Sequence, residues 1–267
     1  MSKPQTSFER FEFKYWVPQP VAAELLERVS PYLRCDDWAL GGQRNTSLYL
    51  DSPELDFLRL HTESAPDRSK LRVRAYGEPP TGPAFFEIKR KVKKVTLKQR
   101  AVVPLAAVPE LLRGEIPPTL HLNSDEERRT LEHFLYLMIS YRAEPRVLVT
   151  CRREAFTSID PNDEVRLTLD RDVCYQEPLG YTLRSDPKAW INLCGLGSYE
   201  AESPTLIELK FRGTAPLWVA DLTQQLRLCT TAYSKYVMAM TRRDLGLDEI
   251  FGTDLEITAD PQPGWGL

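Results

Sequence analysis

The stretch KLRVRAY, residues 70–76, places Lys70, Arg72 and Arg74 at every second position, with apolar residues between them. Successive side chains of a β-strand point to opposite faces of the sheet, so the cations would share one face and the apolar residues the other. Like charges crowded on one face repel each other. The stretch therefore predicts a strand with one apolar face and one cationic face that needs negative charge beside it.

Strands are also predicted elsewhere, at 8–17, 45–52, 84–92, 95–103, 145–158, 163–176 and 205–211. The polar positions of these strands are mainly basic with isolated carboxylates, and they include Glu12, Lys14, Glu87, Lys89, Lys91, Lys98, Arg100, Arg153, Arg166 and Glu208. Alternating charge usually marks the solvated face of an amphipathic sheet. A solvated face mixes neutral polar residues with both charge signs, whereas Lys and Arg dominate here. If the strands share one sheet, the basic groups converge, and the sequence predicts an anionic ligand with several charges.

Helices are predicted between the strands and at the end of the chain, at 20–33, 53–62, 125–142, 215–230 and 233–246. Strands dominate, which indicates an α+β fold built on one antiparallel sheet. No linker-like stretch divides the chain, so we expect a single domain over residues 1–267, with a core at about 7–245 and a tail at 246–267. A sheet closed into a barrel would place all the basic groups in one lumen.

The composition argues against several other classes of protein. The net charge of −3 gives no general basic surface for nucleic acid, the aromatic residues fall mainly on apolar positions, and there is no P-loop. The five cysteines are widely spaced without a C-x-x-C pair, which disfavours a disulfide framework or a zinc site. Neither a signal peptide nor a membrane segment is evident. We therefore expect a cytoplasmic protein that does not bind nucleic acid.

The isolated carboxylates Glu12, Glu87, Glu164 and Glu208 allow two interpretations. Carboxylates suit Mg²⁺ or Mn²⁺, which proteins commonly hold through a few carboxylates together with substrate phosphates. Alternatively, each carboxylate pairs with a neighbouring Lys or Arg. Both interpretations stay open for Glu208, and ion pairing is favoured for Glu87.

Seven motifs occur in the order RFEFKYWVP, SLYLDSPELDF, SKLRVRAYG, FFEIKRKVKKVTLKQR, REAF followed by VRLTLD, IELKF, and YSKYVMAM. This ordered set resembles the VTC domain, the polyphosphate polymerase domain of the triphosphate tunnel metalloenzyme (CYTH-like) superfamily. The resemblance implies an antiparallel eight-stranded β-barrel tunnel with a charged interior, flanked by helices. It also implies a phosphotransferase that moves the ATP γ-phosphate to a polyphosphate chain with Mn²⁺ or Mg²⁺.

The resemblance further implies roles for individual residues. The cations at the reacting phosphates would be Arg72, Arg74, Lys89 and Lys91, and the other phosphate-binding cations would be Lys14, Lys70, Lys98, Arg100, Arg153, Arg166 and Lys235. Glu208 would bind the metal, with Glu12 as a second candidate ligand. The expected partners are ATP and inorganic polyphosphate or triphosphate. The sequence also allows the protein to act beside a separate membrane protein.

Three positions depart from the patterns of the family. Ala232 stands where the polymerase has a second Lys, and Cys151 stands where it has a Tyr. Arg10 replaces the first Glu of the E-x-E-x-K strand found in hydrolases of the superfamily. Arg10 thus argues against a hydrolase with that strand, whereas Ala232 favours a polyphosphate-binding module without catalysis. A tunnel hydrolase of triphosphate or nucleoside triphosphate and this binding module stay open as the two alternatives to the polymerase.

Overall fold

The described part of the chain, residues 10–93, 95–193, 204–231 and 234–245 of a computed structural model, contains one antiparallel sheet of ten strands. The strands are β1 (Arg10–Val17), β2 (Leu33–Cys35), β3 (Gln43–Asp51), β4 (Asp67–Tyr76), β5 (Ala84–Val92), β6 (Val95–Val103), β7 (Glu144–Ser158), β8 (Arg166–Gln176), β9 (Ile191–Asn192) and β10 (Thr205–Arg212). The long strands are those predicted from the sequence, and β5 and β6 have the predicted bounds. The short strands β2 and β9 were not predicted, because two or three residues show no readable alternation.

The helices are α1 (Gln19–Val29), α2 (Asp56–Thr62), α3 (Val108–Leu112), α4 (Asp125–Ser140), α5 (Leu217–Gln225) and α6 (Lys235–Leu245). The predicted capping box of α4 is present, since Ser124 Oγ accepts a hydrogen bond from the Glu127 N–H at 3.2 Å. Helix α1 ends earlier than predicted because Pro31 has no N–H to continue it, and β2 pairs with β7 instead. Of the helices described, none combines the length and apolar character that a membrane crossing requires.

The sheet follows the order β1-β10-β8-β7-β3-β4-β5-β6, with β2 beside β7 and β9 beside β8. The predicted antiparallel sheet is therefore present, but the prediction that it closes into an eight-stranded barrel is wrong. Strands β1 and β6 stand at the two ends of the sheet and do not pair with each other within the described ranges. Closure requires the end strands to come within hydrogen-bonding distance, whereas residues 95–100 of β6 remain exposed.

The open sheet nevertheless curls around its charged face. Lys89 Nζ of β5 lies 3.9 Å from Glu12 Oε1 of β1, although five strands separate β5 from β1 in the sheet order. The convex face carries the apolar residues, where α3 and α4 pack on β3 to β6 while α1 and α5 cover β1, β8 and β10. The alternation of the strands thus separates an apolar core outside the curl from charged side chains inside it.

Helix α6 fills part of the concave face. Its residues Tyr236, Ala239 and Met240 are buried against β3 and β7, and the rings of Tyr236 and Tyr49 stack at 5.1 Å. Because α6 covers the apolar part of this face, its first residues meet the charged part.

Asp51 anchors α2 and α6 to the end of β3. Its fully buried carboxylate accepts hydrogen bonds from the backbone N–H groups of Ser52, Phe57 and Leu58, at 2.8 to 2.9 Å, and from the Tyr236 hydroxyl. Burial raises the pKa of Asp51 although these hydrogen bonds oppose the rise. A buried carboxylate without donors is costly, so this residue fixes both helices in place.

We expect Tyr236→Phe to lower the free energy of unfolding by about 1–3 kcal/mol, because it removes a donor from a buried carboxylate. Urea denaturation would measure the change. The control is Tyr136→Phe on α4, where the side chain is 66% exposed, and this substitution should change stability by less than about 0.5 kcal/mol. Equal effects of the two substitutions would show that Asp51 does not depend on the Tyr236 hydroxyl.

Candidate anion-binding site

A row of three lysines crosses the concave face. Lys70 of β4 stands opposite Lys89 of β5, and Lys89 stands opposite Lys98 of β6. Burial, followed by the neighbouring cations Lys89 and Lys14, places the pKa of Lys70 well below its ordinary value. The Lys98 side chain is 46% exposed, and its partial desolvation lowers its pKa to about 8, although Glu87 opposes this shift. The row therefore holds its protons weakly, and an anion bound beside it would raise these pKa values.

Glu87 binds the cations of the next row. It stands opposite Arg72 and Arg100, it is 1% exposed, and it accepts hydrogen bonds from Arg72 Nε at 2.6 Å and Arg100 Nε at 2.8 Å. Lys98 Nζ lies 2.9 Å from the same carboxylate. Burial alone would raise the pKa of Glu87, but Arg72 and the other cations outweigh it and hold the pKa well below its usual range. This geometry agrees with the ion-pair interpretation favoured for Glu87.

Asp170 joins the tip of α6 to the sheet. Its carboxylate is 1% exposed and accepts two hydrogen bonds from the Arg153 guanidinium, at 2.6 and 2.7 Å, and another from Lys235 Nζ. Burial alone would raise the pKa of Asp170, but these two cations outweigh it and lower the pKa. The Asp170 carboxylate thus binds two of the predicted phosphate-binding cations, Arg153 and Lys235, at the same time.

Glu12 and Glu208 share two lysines. Lys14 Nζ lies 3.2 Å from Glu12 and 3.8 Å from Glu208, and Lys210 Nζ lies 3.8 Å from Glu12 and 3.0 Å from Glu208. Burial would raise the pKa of Glu208, but a hydrogen bond with Glu12 and the charges of Lys210 and Lys14 outweigh it and hold the pKa well below its usual range. The two predicted metal ligands therefore lie side by side.

Arg74 is the most deeply buried cation of the opening stretch. It is 8% exposed, its Nε donates to Ser47 Oγ at 3.1 Å, and no described carboxylate lies within ion-pair distance of it. Burial, and then the neighbouring Arg72, lower the pKa of Arg74. Burial would raise the pKa of the adjacent Tyr49, yet Arg72 and the other cations lower it. A buried guanidinium of this kind is well suited to contact a ligand anion.

The remaining predicted cations lie towards the edges of the concave face. Arg166 is 45% exposed and donates through Nη2 to Asp36 Oδ2 at 3.0 Å, so it belongs to the rim. Lys91 is partly buried near His61 of α2. Burial, and then Lys70 and other cations, lower the pKa of His61 to about 3. His61 is therefore neutral and adds no charge to the site near pH 7.

The alternation of the strands also places Asp170, Thr168 and Lys210 on polar faces, but the sequence assigned none of them a role in the site. Their contacts with Arg153, Lys235 and Glu208 depend on the tertiary structure. The buried hydroxyl of Thr168 has no hydrogen-bond partner in the described structure. Ala232 lies outside the described residues, as does the side chain of Arg10. Cys151 is buried on this face, near Asp170 and Lys235.

The carboxylates fit one mode of metal binding. The described residues contain no group of three or more His, Cys, Asp or Glu side chains placed to hold a metal ion by themselves. Mg²⁺, however, is commonly bound through one or two carboxylates together with waters and substrate phosphates. The adjacent carboxylates of Glu12 and Glu208 could supply that part of a coordination sphere.

The chain is similar to one known domain family and, in its fold, to solved structures of other proteins. The VTC domain family matches residues 9–242 of the chain. Among solved structures, a proposed adenylate cyclase from Bacillus halodurans superimposes with a TM-score of 0.47 at 15% identity, covering 84% of this chain and 92% of that one. A proposed adenylate cyclase from Vibrio parahaemolyticus gives a TM-score of 0.44 at 11% identity, covering 88% and 99%. No curated protein matches the chain.

We expect Glu87→Gln to lower the free energy of unfolding by about 1.5–3 kcal/mol, because the substitution removes a buried carboxylate that accepts charge-assisted hydrogen bonds from the partly exposed cations Arg72, Lys98 and Arg100. Inorganic triphosphate should restore part of the lost stability, since it can neutralise the same cations. Chemical denaturation with and without triphosphate would measure both effects.

The control for Glu87→Gln is Asp67→Asn. Asp67 also pairs with an arginine across β4 and β5, at 2.5 Å from Arg90 Nη2, but it is 50% exposed. Exposed pairs contribute about 0–1 kcal/mol, so this substitution should have little effect. A loss of stability as small in Glu87→Gln as in Asp67→Asn would contradict the role assigned to Glu87.

Proposed function

Because the chain belongs to the VTC domain family, we propose that it is a polyphosphate polymerase that transfers the γ-phosphate of ATP to a growing polyphosphate chain. The observation that carries this proposal is the excess of cations on the concave face. Twelve described cations are assigned to this face against five carboxylates. The cations are Lys14, Lys70, Arg72, Arg74, Lys89, Lys91, Lys98, Arg100, Arg153, Arg166, Lys210 and Lys235, and the carboxylates are Glu12, Asp36, Glu87, Asp170 and Glu208. Such an excess is stabilised by a ligand with several negative charges.

The proposed reaction needs little acid or base chemistry from the protein. A terminal phosphate oxygen of the acceptor chain attacks the γ-phosphorus of ATP, a new P–O–P bond forms, and the bond to ADP breaks. The attacking oxygen is already ionised near neutral pH, so no strong general base is required. Phosphoryl transfer depends mainly on positioning and charge stabilisation, which Arg72, Arg74 and the lysine row would supply.

A divalent ion, Mn²⁺ or Mg²⁺, would neutralise charge at the transferred phosphoryl group. Glu208 and Glu12 would hold this ion together with phosphate oxygens, and Lys14 and Lys210 would orient the two carboxylates. We also propose that the protein acts in the cytoplasm, which is supported by the free thiols of Cys35, Cys151, Cys174 and Cys229.

The direct test is incubation of the protein with ATP and Mn²⁺, with and without a short polyphosphate primer, followed by a gel that resolves chain length. A ladder that lengthens with time, together with ADP, is the expected result. Free phosphate without a ladder would instead indicate a hydrolase. Polyphosphate binding without consumption of ATP would indicate a module without catalysis.

We expect Lys89→Ala to reduce the rate of chain elongation by about 100-fold, because it removes a cation beside the transferred phosphate. Arg72→Ala should have a similar effect, although it also disturbs Glu87. The control is Arg90→Ala, since Arg90 neighbours Lys89 in the sequence but lies exposed on the opposite face and pairs with Asp67. Unchanged rates in both Lys89→Ala and Arg72→Ala would contradict the proposal.

We expect the protein to take up protons from the solution when it binds triphosphate above about pH 8. The free Lys98 has a pKa of about 8, and a bound anion raises it, so binding recruits a proton wherever the free lysine is neutral. Affinity should therefore fall as the pH rises through 8 to 9. Isothermal titration calorimetry at pH 8.5, in two buffers with different ionisation enthalpies, measures the uptake.

The matched variant for proton uptake is Lys98→Arg. A guanidinium keeps its charge throughout this pH range, so the variant should take up fewer protons and show a weaker dependence of affinity on pH. Equal uptake by the wild type and the variant would show that Lys98 is not the group that titrates.

A further inference from the structure

A cavity of about 400 Å³ opens at the end of the sheet where β3 begins and β4 ends. The residues that line it include Trp38, Gln43 and Glu78. The volume lies within the range of about 300–1,000 Å³ that is typical of small-molecule sites. An aromatic surface beside a few hydrogen-bonding groups suits a flat heteroaromatic ligand.

Trp38 is held in position but keeps an accessible surface. Its indole is 47% exposed, and the Arg166 guanidinium lies 5.9 Å from the ring centroid. Asp36 fixes that guanidinium at 3.0 Å and also accepts a hydrogen bond from Thr157 Oγ1 at 2.8 Å. A positioned aromatic ring with a free surface can stack on a nucleobase, because every base offers a π-face.

The opposite walls of the cavity are also fixed. Arg44 Nε pairs with Glu78 Oε2 at 2.9 Å, which leaves the other carboxylate oxygen able to accept a hydrogen bond from a base amine. Arg152 lies directly against Gly42, where a Cβ atom would come within 2.6 Å of Arg152 Cγ and where φ is +82°. Glycine at this position thus allows the arginine to form part of the wall.

The cavity adjoins the candidate phosphate-binding residues at two points. Gln43 stands opposite Arg153 in the register of β3 and β7. Arg166, beside Trp38, stands opposite Lys210, whose ammonium lies 3.0 Å from Glu208. A ligand with its phosphates near Arg153 and Glu208 would therefore leave the concave face at this end of the sheet.

We propose that the cavity beside Trp38 binds the nucleobase of a nucleoside triphosphate whose phosphates lie on the concave face. This inference rests on the proposed function, because it takes the phosphate site as given and assigns the recognition of the nucleoside. Trp38 then determines how strongly the protein prefers a nucleotide over an inorganic chain of the same charge. No sequence pattern indicates a role for Trp38, because it belongs to no alternating strand.

The test compares ATP with methyl triphosphate, which carries the same esterified triphosphate without a nucleoside. Binding of both ligands is measured by isothermal titration calorimetry without divalent metal, so that no turnover occurs. Trp38→Ala should weaken the binding of ATP by about tenfold, the order expected for the loss of one stacked base, and leave methyl triphosphate unchanged. Trp38→Phe should restore most of the affinity for ATP, because phenylalanine also stacks.

The control variant is Tyr136→Ala, which removes an exposed aromatic side chain from α4 and should affect neither ligand. Equal losses for ATP and methyl triphosphate in Trp38→Ala, or no loss for either, would overturn the nucleobase site while leaving the phosphate site intact. Failure of the wild type to bind methyl triphosphate or inorganic triphosphate would overturn the proposed function itself, and the nucleobase site with it.

Discussion

Repulsion between like charges on one face of the sheet is the constraint on which the structure depends. Two unit charges of the same sign 4 Å apart repel by about 4 kcal/mol at an effective dielectric constant of about 20. The concave face offsets this repulsion at three points: Glu87 among Arg72, Lys98 and Arg100; Asp170 between Arg153 and Lys235; and the pair of Glu12 and Glu208 with Lys14 and Lys210. The compensation is incomplete, and the remaining positive charge is what suits the face to a polyanion.

The same contacts couple the site to the fold. Lys235 and Tyr236 are consecutive residues at the start of α6, and they contact Asp170 in the site and Asp51 at the end of β3, respectively. A change that displaced α6 would therefore disturb both the charge balance of Asp170 and the donors of a buried carboxylate. For this reason stability and ligand binding should be measured together in variants of these residues.

The cations of the face differ in what they offer a ligand. Arg72, Arg100 and Arg153 already donate to carboxylates, so an incoming anion must share or displace existing hydrogen bonds. Arg74 and Lys70 have no described carboxylate within ion-pair distance, and their side-chain hydrogen bonds go to the hydroxyls of Ser47 and Ser234. These two residues gain most from an added anion and would therefore contribute most to its affinity. Lys98 already contacts Glu87, but its lowered pKa means that it would contribute to the pH dependence of binding.

The sequence by itself determined the long strands, the sign of charge on each face and which cations share the charged face. It could do so because side chains at every second position of a strand point to the same face, whether or not the sheet closes. It could not determine whether the sheet closes, since closure depends on the curl and stagger accumulated over eight strands. Only the tertiary structure decided that β1 and β6 remain apart, that Asp170 joins Arg153 to Lys235, and that Trp38 lies at the rim. Each of these depends on distances between residues far apart in the chain, which no local pattern of alternation records.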